Sequence, residues 1–135
     1  MKDFIYLRHK LFIVSFIACL LFVVCFKSQS FASSNVCKIY VQEKSLNQNF
    51  VYVNIASDQN NVIALLVLGY PKFLNVSVNG IDVKNTLLGT DDIICNGHLS
   101  GEIRYYDMKK VNVDAGVFEV NTSNNVKASL SFSKQ

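Results

Sequence analysis

Proline occurs once in this chain, at Pro71, and glycine only six times in 135 residues. Glycine this sparse leaves no glycine-rich loop whose backbone amides could cradle a phosphate. No two cysteines stand as C-x-x-C, so neither a redox dithiol nor a zinc framework is suggested. Basic residues adjoin only at Lys109-Lys110, a pair that reads as a solvated turn. No spacing matches a nucleophile elbow, a zincin helix or a calcium loop. There is no internal repeat and no sign of a second domain.

What the chain does have is one long apolar run, near its start. Met1 to Lys10 carries Lys2, Arg8 and Lys10 against a single acid, Asp3, and "LFIVSFIACLLFVVCF", Leu11 to Phe26, follows without a charge. The run is shorter than the roughly 20 residues that span a bilayer. Ser30-Phe31-Ala32 offers small residues at alternate positions, so the segment reads as a signal peptide cut between Ala32 and Ser33. An uncleaved anchor flanked by Lys27 is the alternative. On the first reading, residues 1–32 are leader, residues 33–135 are an exported domain, and the membrane is met only through the leader before cleavage.

Cleavage changes the chemistry of what remains. Lys2, Arg8, Lys10, Lys27 and Asp3 leave, so that nine basic and nine acidic residues stay behind out of 13 and 10. A neutral domain gives no reason to expect nucleic acid as a partner. Cys19 and Cys25 also leave, and Cys37 and Cys95 remain. In an exported domain such a pair reads as one disulfide; two buried free thiols are the alternative.

Beyond Ala32 the apolar residues recur with period two. "VCKIYVQE" alternates Cys37, Ile39 and Val41 with Lys38, Tyr40 and Gln42, and "FVYVNI" is rich in β-branched and aromatic residues; both predict strands. "VIALLVLG", Val62 to Gly69, is apolar throughout and predicts a strand buried on two faces. Asn79-Gly80 predicts a tight hairpin turn. Further strands are expected at Ile93 to Cys95, Ile103 to Tyr106, Val117 to Asn121 and Val126 to Phe132, with Val126, Ala128, Leu130 and Phe132 inward. The fold class that follows is all-β, a single small β-sandwich or open barrel.

Chemistry-bearing residues are few. In the mature chain His98 is the one histidine, and "DDIICNGHLSGE" places Asp91, Asp92, Ser100 and Glu102 near it in sequence. A small hydrolase or metal-dependent enzyme centred on His98 would need those acids to converge on the imidazole. A solvated turn is the simpler reading, with no catalytic residue, no metal and no cofactor. Phe73, Tyr105 and Tyr106 are candidate aromatic contacts for a partner, with core packing as the alternative.

The order "CKIYVQ", "ALLVLGYPKFLNVSVNGIDV", "CNGHLSGEIRYYD", "GVFEVNTSNNVKASLSF" resembles the invasion-associated locus B proteins over nearly all of the mature chain. Those proteins carry a cysteine-bearing first strand, an apolar strand followed by P-x-x-L-x-x-x-V-x-V-x-G, a C-x4-C segment with a following acid, and a closing strand pair rich in Val, Ser and Leu. Pro71, Leu74, Val76 or Val78 and Gly80 take the loop positions, Cys95 the first cysteine, and Asp107 the acid. Ser100 replaces the second cysteine, and the tryptophan and extra cysteine common near the family's domain start are missing, which leaves Cys37 with Cys95 as the possible bond. The resemblance implies a non-enzymatic bacterial domain of the periplasm, cell surface or medium, one that binds a protein or host-cell partner. A secreted host-directed effector would work by the same means.

Overall fold

The computed structural model describes Ser33–Gln135. The leader assigned to residues 1–32, with Ala32 at its cleavage point, lies outside the described residues. Helix α1 (Ser33–Leu46) comes first, followed by strands β1 (Tyr52–Ser57), β2 (Val62–Leu68), β3 (Leu74–Val78) and β4 (Ile81–Asp82). After a 3-10 turn come β5 (Leu87–Cys95), β6 (His98–Asp107), a second 3-10 turn, β7 (Ala115–Thr122) and β8 (Lys127–Ser133). The strands make two antiparallel four-stranded sheets, β1-β2-β6-β5 and β4-β3-β7-β8, packed as a sandwich that does not close into a barrel.

β2 organises both layers. Successive side chains of a strand point to opposite faces, and here both sets are apolar and buried: Ile63, Leu65 and Val67 on one face, Leu66 and Leu68 on the other. The first set joins Val53 and Tyr106 and packs against Val76, Val78, Phe118 and Val120 of the second sheet. Tyr106 and Phe118 meet at 5.4 Å between ring centroids, tilted by 59°, a geometry that ring quadrupoles favour. On the second sheet, β8 alternates inward apolar with outward polar residues as its sequence predicts, and β7 buries Phe118 and Val120 while Glu119 and Asn121 face outward.

The segment read as a first strand, "VCKIYVQE", is helical. Val36 and Tyr40 are four residues apart, so they share one helix face, and both are buried. Between them Cys37 forms a disulfide with Cys95 at the end of β5, with the two Cα atoms 5.3 Å apart. Fourteen residues without a turn signal, including the helix formers Gln42, Glu43 and Lys44, then extend the helix. Burial of Val36 and Tyr40, with α1 packed on β5, outweighs the local alternation.

A second correction concerns "DDIICNGHLSGE". It is a hairpin: Asn96 (φ 51°) and Gly97 (φ 77°) form a two-residue turn that joins long strands β5 and β6, with Cys95 opposite His98. The anticipated turn at Asn79 (φ 50°) and Gly80 (φ 81°) has the same geometry and pairs Val78 with Ile81. Among the described residues no helix is long and apolar enough to cross a membrane.

The disulfide closes a span of 58 residues, which in the chain-entropy model stabilises the fold by about 4 kcal/mol. Replacing both Cys37 and Cys95 with Ala is expected to lower the unfolding free energy by roughly 2–4 kcal/mol. Urea titrations of the oxidised and double-alanine proteins measure it; coincident midpoints would show that the bond contributes nothing.

Candidate functional site

The β2–β3 loop, "GYPKF", collects the most unusual geometry in the molecule. Gly69 has φ +82°, and a Cβ there would lie 2.1 Å from the Phe50 carbonyl oxygen. Glycine is therefore needed twice over, for its backbone angle and for the close passage of the chain leading into β1. The Gly69 amide donates to the Ser100 carbonyl at 3.0 Å. Ser100 is fully buried.

Past Gly69 the loop turns outward yet is held at several points. Tyr70 is 64% exposed, but its hydroxyl donates to the Leu99 carbonyl at 2.5 Å. The Lys72 amide donates to Ser123 Oγ at 2.8 Å, and the Ser123 amide donates to the Phe73 carbonyl at 3.2 Å. Phe73 itself is 53% exposed. Two aromatic rings thus stand in water on a backbone tied to β6 on one side and to the β7–β8 turn on the other. The Tyr70 ring is held at its hydroxyl as well, while Phe73 is held at its backbone.

Two clefts meet at this loop and share Gly69, Tyr70 and Lys72. The first, of about 400 Å³, has Tyr70, Phe73 and Leu99 around Asp92, Glu102 and Arg104. Arg104 Nε donates to Glu102 Oε1 at 2.6 Å and its Nη2 approaches the same oxygen at 2.5 Å. Burial acts to lower the Arg104 pKa, but hydrogen bonds to Glu102 and Tyr106 outweigh it and hold the guanidinium above its ordinary value. The second cleft, of about 410 Å³, lies between α1, the loop and the β7–β8 turn.

The three aromatic residues singled out by sequence do not form one surface. Phe73 is exposed and lines the first cleft. Tyr106 is 1% exposed and belongs to the core, so its reading as a partner contact is corrected. Its neighbour Tyr105 alternates to the opposite face of the first sheet, partly buried, and its hydroxyl donates to Asp91 Oδ2 at 2.9 Å.

His98 does not meet the acids near it in sequence. It opens β6 opposite Cys95, beside Tyr40, Lys44 and Asn96. The pair Asp92 and Glu102 lies three residues along β5 from Cys95, about 10 Å at the usual rise of a strand. Asp91 is bonded to Tyr105 and Glu102 to Arg104. The missed residues are Tyr70, Lys72 and Leu99, and one signal for them was present: an aromatic-proline-lysine-aromatic run directly after a strand buried on both faces.

Comparison of the chain with protein-family models, with curated proteins and with solved structures returns no match in any of the three.

Two predictions follow from this geometry. Gly69→Ala adds a backbone clash to a left-handed conformation, whereas Gly80→Ala, with open space at its Cβ, meets only the conformational penalty. The Gly80 variant should lose about 1 kcal/mol and the Gly69 variant clearly more, as read from urea unfolding; equal losses would contradict the close approach at Phe50. Burial raises the Tyr106 pKa above 10.0, outweighing the pull of Arg104 in the other direction, and burial with the bond to Asp91 raises Tyr105. An unfolded chain would give up these protons first, so stability that is complete below about pH 10 declines as the pH rises beyond it. Unfolding free energies measured from pH 8 to 11 should show that decline, and Tyr106→Phe should make it shallower; an unchanged slope would contradict the shift.

Proposed function

We propose that Ser33–Gln135 acts as an exported, non-enzymatic binding module of a bacterial envelope or secretion product, contacting a protein or host-cell partner through the Tyr70–Phe73 face. The observation that carries this reading is the pair of exposed rings on a tethered loop. Aromatic side chains dominate binding energy at interfaces when they are rigid and centrally placed, and Leu99 and Ile94, exposed at 49% and 62%, add apolar surface on the β5–β6 hairpin nearby. The disulfide favours an oxidising compartment. The charged and apolar leader supports export. The resemblance to the invasion-associated locus B proteins supports the same destination through its apolar strand, its loop and its closing strand pair, although its cysteine-bearing first strand corresponds here to α1. A host-directed effector would use this same face and differ only in where it is delivered.

Two measurements test the proposal. The intact mass of protein recovered from envelope and medium should correspond to a chain beginning at Ser33 and lighter than its reduced form by two hydrogen atoms. A photo-crosslinker placed at position 73 should then give a discrete protein adduct in producing cells or on host cells. The same group at position 119, on the outward face of β7, should give none. Full-length, reduced protein would overturn the export half, and equal labelling from both positions would overturn the binding half.

A further inference from the structure

We propose that the second cleft, between α1, the Tyr70 loop and the β7–β8 turn, is a binding site for a carboxylate-bearing saccharide. It goes beyond the Tyr70–Phe73 face, with which the cleft shares Gly69, Tyr70 and Lys72, and does not depend on that face having a partner.

The charge of the cleft is one-sided. Lys44 and Lys72 line it and no Asp or Glu does, although the exported domain has as many acids as bases. Neither lysine makes an ion pair among the described residues, where the pairs are Lys84 with Asp82 and Arg104 with Glu102. Lys44 Nζ donates to the Tyr40 hydroxyl at 2.8 Å, which aims the ammonium and raises its pKa. An anion is the missing complement.

The remaining walls suit a sugar better than a bare ion. Tyr70 has its hydroxyl bound to Leu99 on the far side, so its exposed ring is a fixed apolar plate on which the C–H face of a pyranose can rest. Gln48 and Asn49 carry amides that make no side-chain hydrogen bond among the described residues and can pair with sugar hydroxyls. Asn124 is structural: its Nδ2 donates to the Asn49 carbonyl at 2.9 Å and its Oδ1 accepts from Ser123 Oγ at 3.0 Å. These bonds and the Lys72–Ser123 contact preset the walls. A volume of about 410 Å³ lies within the range of small-molecule sites. A phosphate site would call for convergent backbone amides, and the loop here offers its amides to Ser100 and Ser123 instead.

The test is a titration of the isotope-labelled protein, in the form recovered from producing cells, followed by amide resonances. The probes are digalacturonate, its neutral dimethyl ester, acetate, inorganic phosphate and an acidic hexapeptide. Digalacturonate should shift Gly69, Tyr70 and Asn124 to saturation, and the ester should bind at least about tenfold more weakly. Lys44→Gln with Lys72→Gln should weaken binding by a similar factor, and Tyr70→Leu should weaken it while leaving resonances of the second sheet in place. Equal response to acetate or phosphate would reduce the site to an adventitious anion contact, a response to the peptide alone would make it a protein surface, and no response would remove it. Each of these three results overturns the proposal and leaves the Phe73 crosslinking result untouched.

Discussion

A strand that is apolar on both faces cannot be satisfied by one neighbouring sheet, and β2 is such a strand. Ile63, Leu65 and Val67 are covered by the second sheet. Leu66 and Leu68 are buried on the other face, and the chain before β1 packs on the same sheet at β5. α1 brings Val36 and Tyr40 to burial, and Cys37–Cys95 fastens it to β5. The chain must then descend from the helix into β1, and it does so against Gly69, close enough that no side chain fits between. The tethered loop, Tyr70 and the second cleft adjoin that passage.

The parts of the fold that sequence could show are those whose causes are local. Asn79-Gly80 adopts its turn because of its own backbone preferences, β2 is a strand because seven apolar residues lie between turn residues, and β8 alternates because one of its faces is wet. Asn96-Gly97 carries the same signal as Asn79-Gly80, and the histidine and acids around it draw attention to chemistry and away from the turn. α1 was hidden for a different reason. Val36, Cys37, Ile39, Tyr40 and Val41 contain both an i, i+4 pair and a period-two series, and only tertiary contact, here with β5, decides between them. Tyr105 and Tyr106 point to opposite faces simply because they are adjacent in a strand, so the two could never have formed one surface. The second cleft was not legible, since it joins α1, the β2–β3 loop and the β7–β8 turn across more than 70 residues, as Asn124 bonding to Asn49 illustrates.

An open sandwich must also protect its margins. β4 is only two residues long, which leaves little backbone to recruit another strand. β5 is longer and interrupts its own ladder with irregularities at Leu87/Gly89 and Ile93/Ile94, between which Asp91 and Asp92 place charge on the edge. Such features discourage indiscriminate strand addition. They also leave Ile94 and Leu99 exposed on the hairpin end, where the backbone of β5 is no longer regular.

The distribution of charged groups separates the two clefts in kind. In the first, Arg104 and Glu102 satisfy each other, with side chains about 30% exposed, and Asp92 and Lys72 bring one further charge of each sign, so that apolar contact with Phe73 and Leu99 must supply most of the attraction. In the second, two cations face water without an acid among the described residues around them. Electrostatic attraction acts over a longer range than apolar contact, out to about 10 Å at moderate salt. On the proposed readings the lysine cleft would attract an anionic ligand first and select it by its hydroxyls, while the aromatic cleft would hold whatever comes within contact. Tyr70 is common to both, with its ring toward one and its hydroxyl anchored beside the other, so occupation of either cleft constrains the same side chain that shapes its neighbour.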